Sequence, residues 1–155
     1  MTIAAVEEHE VVLSVGDTTF LDYRNIKVKR EGYGPTGNGG NALILHSALA
    51  IEPEKGQTLG LLWQKLWNRE HKPKPSKDET LKQKKQRQAK NRQIARQRPF
   101  VEKESYKWVE ALIEVDKQVE ANTRVIHIFD REGDIAEVFD QIRQLKHTGV
   151  LVRAS

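Results

Sequence analysis

The chain has no cysteine, one methionine, five prolines and only 6% aromatic residues among its 155. The absence of cysteine excludes disulfides, a thiolate metal site and a cysteine nucleophile. No apolar run approaches the roughly 20 residues needed to span a bilayer. The opening MTIAAVEEHEVV carries acids where a secretory signal carries Lys or Arg ahead of a long apolar stretch. A cytoplasmic protein with no membrane partner is the expectation. Hydrophobic residues are also sparse, at 37% against 31% charged, yet a single domain of this length can bury about two thirds of its unfolded surface.

Acidic residues are scarce in one place. From Glu70 to Arg98 there are eleven Lys or Arg and three Asp or Glu, a net of +8, while the rest of the chain nets −4 within an overall +4. A mildly acidic body therefore carries one strongly basic insert, at about 70–98, and that asymmetry points to a polyanion as partner. From Lys77 to Gln97 the only large aliphatic side chains are Leu81 and Ile94. The composition favours helix but offers no apolar face to dock one, so an exposed helical or conditionally ordered arm is expected.

Outside the insert the apolar patterning is regular. Glu10–Val15 reads as a buried strand ended by Gly16, with Asp17 just beyond it. Gly32–Gly40, with five glycines and a proline, reads as a turn or loop. It lacks the Gly-Lys-Ser/Thr ending of a phosphate-binding P-loop and leads into no helix, which argues against nucleotide binding. Asn41–Ile51 and Thr58–Trp67 read as two strands joined by a hairpin through Glu54-Lys55-Gly56-Gln57. After the insert, Tyr106, Val109, Ala111, Leu112, Ile113, Val115 and Val119 recur at helical spacing from Ser105 onward. Arg124–Phe129 is β-branched and aromatic, a strand followed at once by Asp130. Asp134 with Glu137 suggests a capped helix through Lys146, and Gly149–Val152 a last strand. The predicted order is β-β-β-α-β-α-β, an α/β mixed sheet with helices packed on it and a basic helical insert.

Asp17 and Asp130 are the informative pair. Each follows an apolar strand, at the end where ligand sites of α/β sheets collect. If those strands are parallel neighbours, the carboxylates stand about 4.8 Å apart. Mg²⁺ or Mn²⁺ takes oxygen ligands held in that way, with water and phosphate oxygens completing the shell. A pair of such ions can activate an attacking oxygen and stabilise the leaving one in phosphodiester chemistry. The bland reading, that aspartates after strands are caps and turn residues, competes on spacing alone. For Asp134 the cap is the favoured reading. Glu132 is a spare carboxylate nearby, and Arg131 has no role assignable from sequence. His9, His46, His71, His127 and His147 show no metal-ligand spacing, and His46 and His127 read as hydrogen-bonded strand residues. Trp63, Trp67 and Trp108 read as core side chains rather than base-stacking platforms.

The local words add to the spacing. Asp17-Thr18-Thr19 after an apolar strand resembles the first catalytic motif of DDE transposases of the bacterial insertion-sequence-four group, which move DNA by cut and paste. Asp130-Arg131-Glu132-Gly133-Asp134 is similar to the second motif. The glycine-rich loop, His46 in its strand and Glu102-Lys103-Glu104-Ser105-Tyr106-Lys107-Trp108 resemble that family in type and order, from about Val11 to Ser155. The resemblance implies a truncated ribonuclease-H-like fold, the amino-terminal half of a transposase catalytic domain, with Asp17 and Asp130 as its first two metal-binding acids. It implies Mg²⁺ or Mn²⁺ as cofactor, DNA as substrate, and a bacterial cytoplasm or, when bound to DNA, the nucleoid. The family's third acid is a glutamate within Tyr-x2-Arg-x3-Glu-x6-Lys, and no window of this sequence matches it. Metal-dependent DNA cleavage and strand transfer is therefore the family role, with this chain inactive alone. A second transposase subunit or a downstream-encoded half is the implied partner. A non-catalytic DNA-binding or interfering fragment, or a remnant of a decayed element, are the alternatives. In either DNA-binding case Lys82, Lys84, Lys85, Arg87, Lys90 and Arg92 are the candidate phosphate contacts.

Overall fold

A computed structural model describes residues 2–23, 25, 32–36, 40–71, 75–76 and 78–154. The apolar runs of Asn41–Ile51 (β3) and Thr58–Trp67 (β4) form an antiparallel hairpin with the predicted bounds, and burial alternates along β3. Its turn is closed by Glu52, whose carboxylate accepts from the backbone N–H groups of Glu54 and Lys55 at 2.6 and 2.8 Å. Gly56 supplies the φ of +68° that the turn needs and that glycine adopts without strain.

The first long strand, β1, runs Val11–Asp22, well past Gly16, where the sequence predicts its end. β3 carries it: antiparallel pairing continues from Leu13↔Ile51 through Asp17↔Ser47 to Asp22↔Ala42. Gly16 is there for room rather than for a turn, since a Cβ on it would lie 3.0 Å from the Phe129 ring and 3.2 Å from Trp108. Gly34–Pro35 forms a two-residue strand, β2, against Ala42 and Asn41; residues 37–39 of the expected loop lie outside the described residues.

Arg124–Phe129 (β5) and Thr148–Val152 (β6) complete a six-stranded sheet, ordered β2-β3-β1-β5-β6, with β4 also on β3. β1–β5 and β5–β6 are parallel and the hairpin pairings antiparallel, so the sheet is mixed and the architecture α/β. Between β4 and β5 lies a helix, α3, Tyr106–Asp116, which buries Trp108, Val109, Ala111, Leu112 and Val115. A shorter one, α4, spans Ala136–Ile142 between β5 and β6. It differs from expectation. Its N-cap is Ile135, with no side-chain cap, and it stops before Lys146. Asp134 instead closes a 3-10 turn, Arg131–Gly133, its N–H donating to the Arg131 carbonyl at 3.2 Å. That turn displaces the helix start and removes the capping box.

One helix is missing from the sequence reading. Thr2–Glu7 (α1) places Val6, fully buried, against Val12, Ala48 and Val125. The core clusters join α1, α3 and α4 to the face of the sheet that carries Val12, Ala48, Val125 and Phe129. By strand alternation Val15, Leu49, Leu61 and Leu151 lie on the other face, 36–62% exposed. If Gly16 is a packing requirement, Gly16→Val should cost about 1–3 kcal/mol in urea unfolding through overpacking. Gly149→Ala, whose Cβ meets only Ile126 at 3.9 Å, should stay within about 0.5 kcal/mol. Equal effects would place the constraint elsewhere.

Candidate metal and nucleic-acid sites

β1 and β5 pair in parallel from Val11↔Arg124 to Val15↔Ile128. The pairing ends there, and Asp17 and Asp130 stand two residues further along each chain, so both lie at the same end of the two neighbouring strands. Both are exposed, and by alternation both follow Val15 and Ile128 onto the open face. Asp17 lies within β1 rather than after it, a correction to the expected strand end; what ends beside it is the β1–β5 pairing. Asp130 lies directly after β5, and its Oδ1 accepts the Glu132 N–H at 2.9 Å, capping the 3-10 turn. Two carboxylates on neighbouring strands suit a cation such as Mg²⁺, which typically takes one or two carboxylates and keeps several waters. Among the described residues no group of three or more His, Asp or Glu is placed to hold a metal ion. The pair is thus compatible with an oxygen-seeking cation but supplies two of its ligands at most.

Beneath this pair, on the helix-covered face, lies a belt of polar contacts. Thr18 Oγ1 and His46 Nδ1 are 2.9 Å apart. Arg69 donates to both Glu104 oxygens, at 2.6 and 2.7 Å, and lies over Phe20 at 5.5 Å. Lys107 Nζ donates to Glu132 at 2.8 Å. The Arg69 guanidinium, through its hydrogen bonds, holds the Glu104 carboxyl below the usual range. An open cleft of about 250 Å³ runs between Phe20, Trp67, Arg69, Lys107 and Glu132. Thr18, His46, Glu104, Lys107 and Glu132 all lie within the motif words of the sequence, but their pairing with one another and with Arg69 was not readable there, because the partners are far apart in the chain.

Two histidines sit deep in this region. Burial pushes His46 down to about 4, with the Lys107 ammonium acting in the same direction and Asp17 and Glu132 opposing it. Burial alone pushes His127 down to about 3. His46 keeps the strand hydrogen bond expected of it, but neither ring nitrogen of His127 has a protein partner, contrary to expectation. Trp108, 1% exposed, is a core residue as expected, its ring 4.4 Å from His46 and 4.6 Å from Phe129. Trp63 packs against the core and Trp67 is partly buried at the cleft.

The basic insert is a helix, α2, Leu81–Gln97, with no buried residue. Thr80 caps it, accepting from the Gln83 N–H while the Gln83 side chain accepts from the Thr80 N–H, a capping box readable as Thr-x-x-Gln. Leu81 and Ile94 are 80% and 50% exposed and anchor nothing. Residues 72–74 and 77 of the insert lie outside the described residues. Lys82, Lys84, Lys85, Lys90 and Arg92 are exposed. Arg87 is not comparably free, since it donates to both Glu79 oxygens at 2.7 and 2.9 Å.

No family model matches the chain, and a search of curated proteins found no similar sequence. Among the described residues no helix is long and apolar enough to cross a membrane.

The buried histidines give the stability a pH dependence of definite sign. Both are held below the usual value of about 6.5, so the unfolded chain binds more protons than the folded one once the pH drops below it. Their contribution is complete above about pH 6.5 and is lost as pH falls toward 4 for His46 and toward 3 for His127. The urea midpoint should therefore fall between pH 7 and 4.5. His127→Phe removes unpaired buried nitrogens, so it should hold the midpoint at pH 7 and flatten the slope by on the order of 2 kcal/mol at pH 4.5. An unchanged slope in that variant would place the acid sensitivity elsewhere.

Proposed function

We propose that these 155 residues are the amino-terminal part of a ribonuclease-H-like transposase catalytic domain of the insertion-sequence-four group, with Asp17 and Asp130 as two of its metal-binding acids. The observation that supports this reading is the parallel register of β1 and β5, whose last pair, Val15 opposite Ile128, comes two residues before each motif aspartate. The element order around them and the motif words at both acids support it. When bound, Mg²⁺ or Mn²⁺ supplies a charged centre that activates an attacking oxygen and stabilises a leaving one on phosphorus. The chain's own part is to hold two carboxylates in place and to bring duplex DNA near them.

The metal side has a negative expectation. Two carboxylates leave much of the shell to water, and the Tyr-x2-Arg-x3-Glu-x6-Lys signature has no counterpart in the sequence. The purified chain should therefore leave a labelled transposon-end fragment uncut in Mg²⁺ or Mn²⁺. Cutting that Asp130→Ala abolishes would show that a third acid is dispensable.

A DNA-binding role independent of cleavage is favoured by α2, which has no acidic residue and no buried one. Its cations contact phosphates and so position DNA without reading its sequence. Affinity for duplex DNA should fall steeply between about 50 and 200 mM salt through counterion release. Replacing Lys82, Lys84, Lys85, Lys90 and Arg92 by Gln should weaken binding to all sequences alike and flatten the log–log salt slope by several units. Arg87→Gln alone should matter less than Arg92→Gln, because Glu79 already engages Arg87. Binding indifferent to salt and to these changes would remove this role.

A further inference from the structure

Lys107 is the unusual member of the polar belt. It is the second residue of α3, yet its side chain is only 8% exposed. Its ammonium lies 5.1 Å from the centre of the Trp108 ring and donates to Glu132 at 2.8 Å. Burying an ammonium is expensive unless it is paired and hydrogen-bonded, and here the pairing partner, Glu132, is itself 62% exposed. So buried and so committed, Lys107 is poorly placed to grip a phosphate. What its burial does is fix a surface carboxylate that solvent would otherwise leave mobile.

Glu132 is also tied at its backbone. Its N–H donates to Asp130 Oδ1 at 2.9 Å, and the Gly133 N–H donates to the Asp130 carbonyl at 3.1 Å. The turn is seated hard on β5, since a Cβ at Gly133 would lie 2.7 Å from that of Phe129. A continuous path therefore runs from the core, through Trp108 and Lys107, to Glu132 and then to the Asp130 carboxylate. We infer that Lys107 is a positioning residue for Asp130, a buried strut that sets the direction of the second carboxylate through Glu132. This rests on the reading of Asp17 and Asp130 as a cation site. Groups that orient a metal ligand from behind commonly change metal affinity 10–100-fold when removed.

The test is Mn²⁺ binding to the whole chain, followed by the loss of the free-ion electron paramagnetic resonance signal. Amide hydrogen exchange at Glu132 and Gly133 is measured alongside. Lys107→Met fills the same space without the charge and should weaken Mn²⁺ binding about tenfold while speeding exchange at both amides. Glu132→Gln, at an exposed position but leaving the buried Lys107 without its acid, should in its folded form weaken binding to a similar degree. The double variant should be no weaker than either single one, because both cut the same path. Lys107→Arg, which still donates to Glu132, should recover most of the affinity. Normal Mn²⁺ affinity in Glu132→Gln or in folded Lys107→Met, with Asp130→Asn losing it, overturns the strut and leaves the cation site standing. No wild-type binding at millimolar Mn²⁺, or binding unaffected by Asp17→Asn and Asp130→Asn, sinks the cation site and the strut together. In that case slower exchange in the wild type than in Lys107→Met shows only that Lys107 steadies the turn.

Discussion

The parallel pairing of Val11–Val15 with Arg124–Ile128 is the constraint on which the rest of the structure depends. It joins segments more than a hundred residues apart and puts the amino-terminal strand at the centre of the sheet. Parallel neighbours need a crossover connection, and the chain between them supplies the β3–β4 hairpin, the basic helix and α3. The helix-facing positions on the two strands, Val12 and Val125 in one pair and Ser14 and His127 in another, are buried together. A one-residue slip of β5 against β1 would turn Val125 and His127 outward and bring Ile128 in. The slip would also separate Asp17 from Asp130. Packing and the candidate site are therefore fixed by the same pairing.

Most of the strands were readable in the sequence because each is a short apolar or β-branched run bounded by polar or turn residues, and β3, β4 and β5 fall where those runs begin and end. β1 was read too short. Gly16 looks like a terminator when only its own strand is considered, and nothing local shows that β3 continues beside it or that Phe129 and Trp108 need the space. The start of α4 was misplaced for a related reason. Asp134 and Glu137 have the spacing of a capping box, but Asp130 takes the adjacent N–H groups into a 3-10 turn first, and which aspartate caps what depends on where β5 ends. α1 went unread because a six-residue helix with one buried side chain has too few repeats to show a period.

The candidate site divides along the same line. Asp17 and Asp130 could be nominated from sequence because each is local to a strand and a motif, and each stands two residues past the last pair of the β1–β5 register. Their support was legible only as words: Glu104, Lys107 and Glu132 fall in the Glu102–Trp108 and Asp130–Asp134 motifs, but nothing in those motifs shows what each one contacts. Lys107 and Arg69 look like ordinary surface cations in a chain with 26 of them, and only tertiary structure distinguishes a lysine that is 8% exposed from one on α2. Charge runs show where a polyanion can be met, whereas single buried charges show what is being held still.

These two uses of positive charge are kept apart in the fold. α2 carries lysines and arginines on every side, contains no acid and buries nothing, so its charges are hydrated, screened by salt and able to meet phosphate in many geometries. The belt under the carboxylates is built the opposite way: each cation has one acid, and Arg69 and Lys107 also lie against an aromatic ring. Moving the belt's charges into α2 would add little to the proposed DNA contact, where several cations already stand alike, but would leave Glu132, in the turn after β5, without its cation. Moving the charges of α2 into the body would bury ammonium groups without partners, at several kcal/mol each. An exposed basic helix tolerates imprecise contacts and a packed belt of paired charges does not, a division that suits the proposed roles of meeting DNA in one place and fixing carboxylates in another.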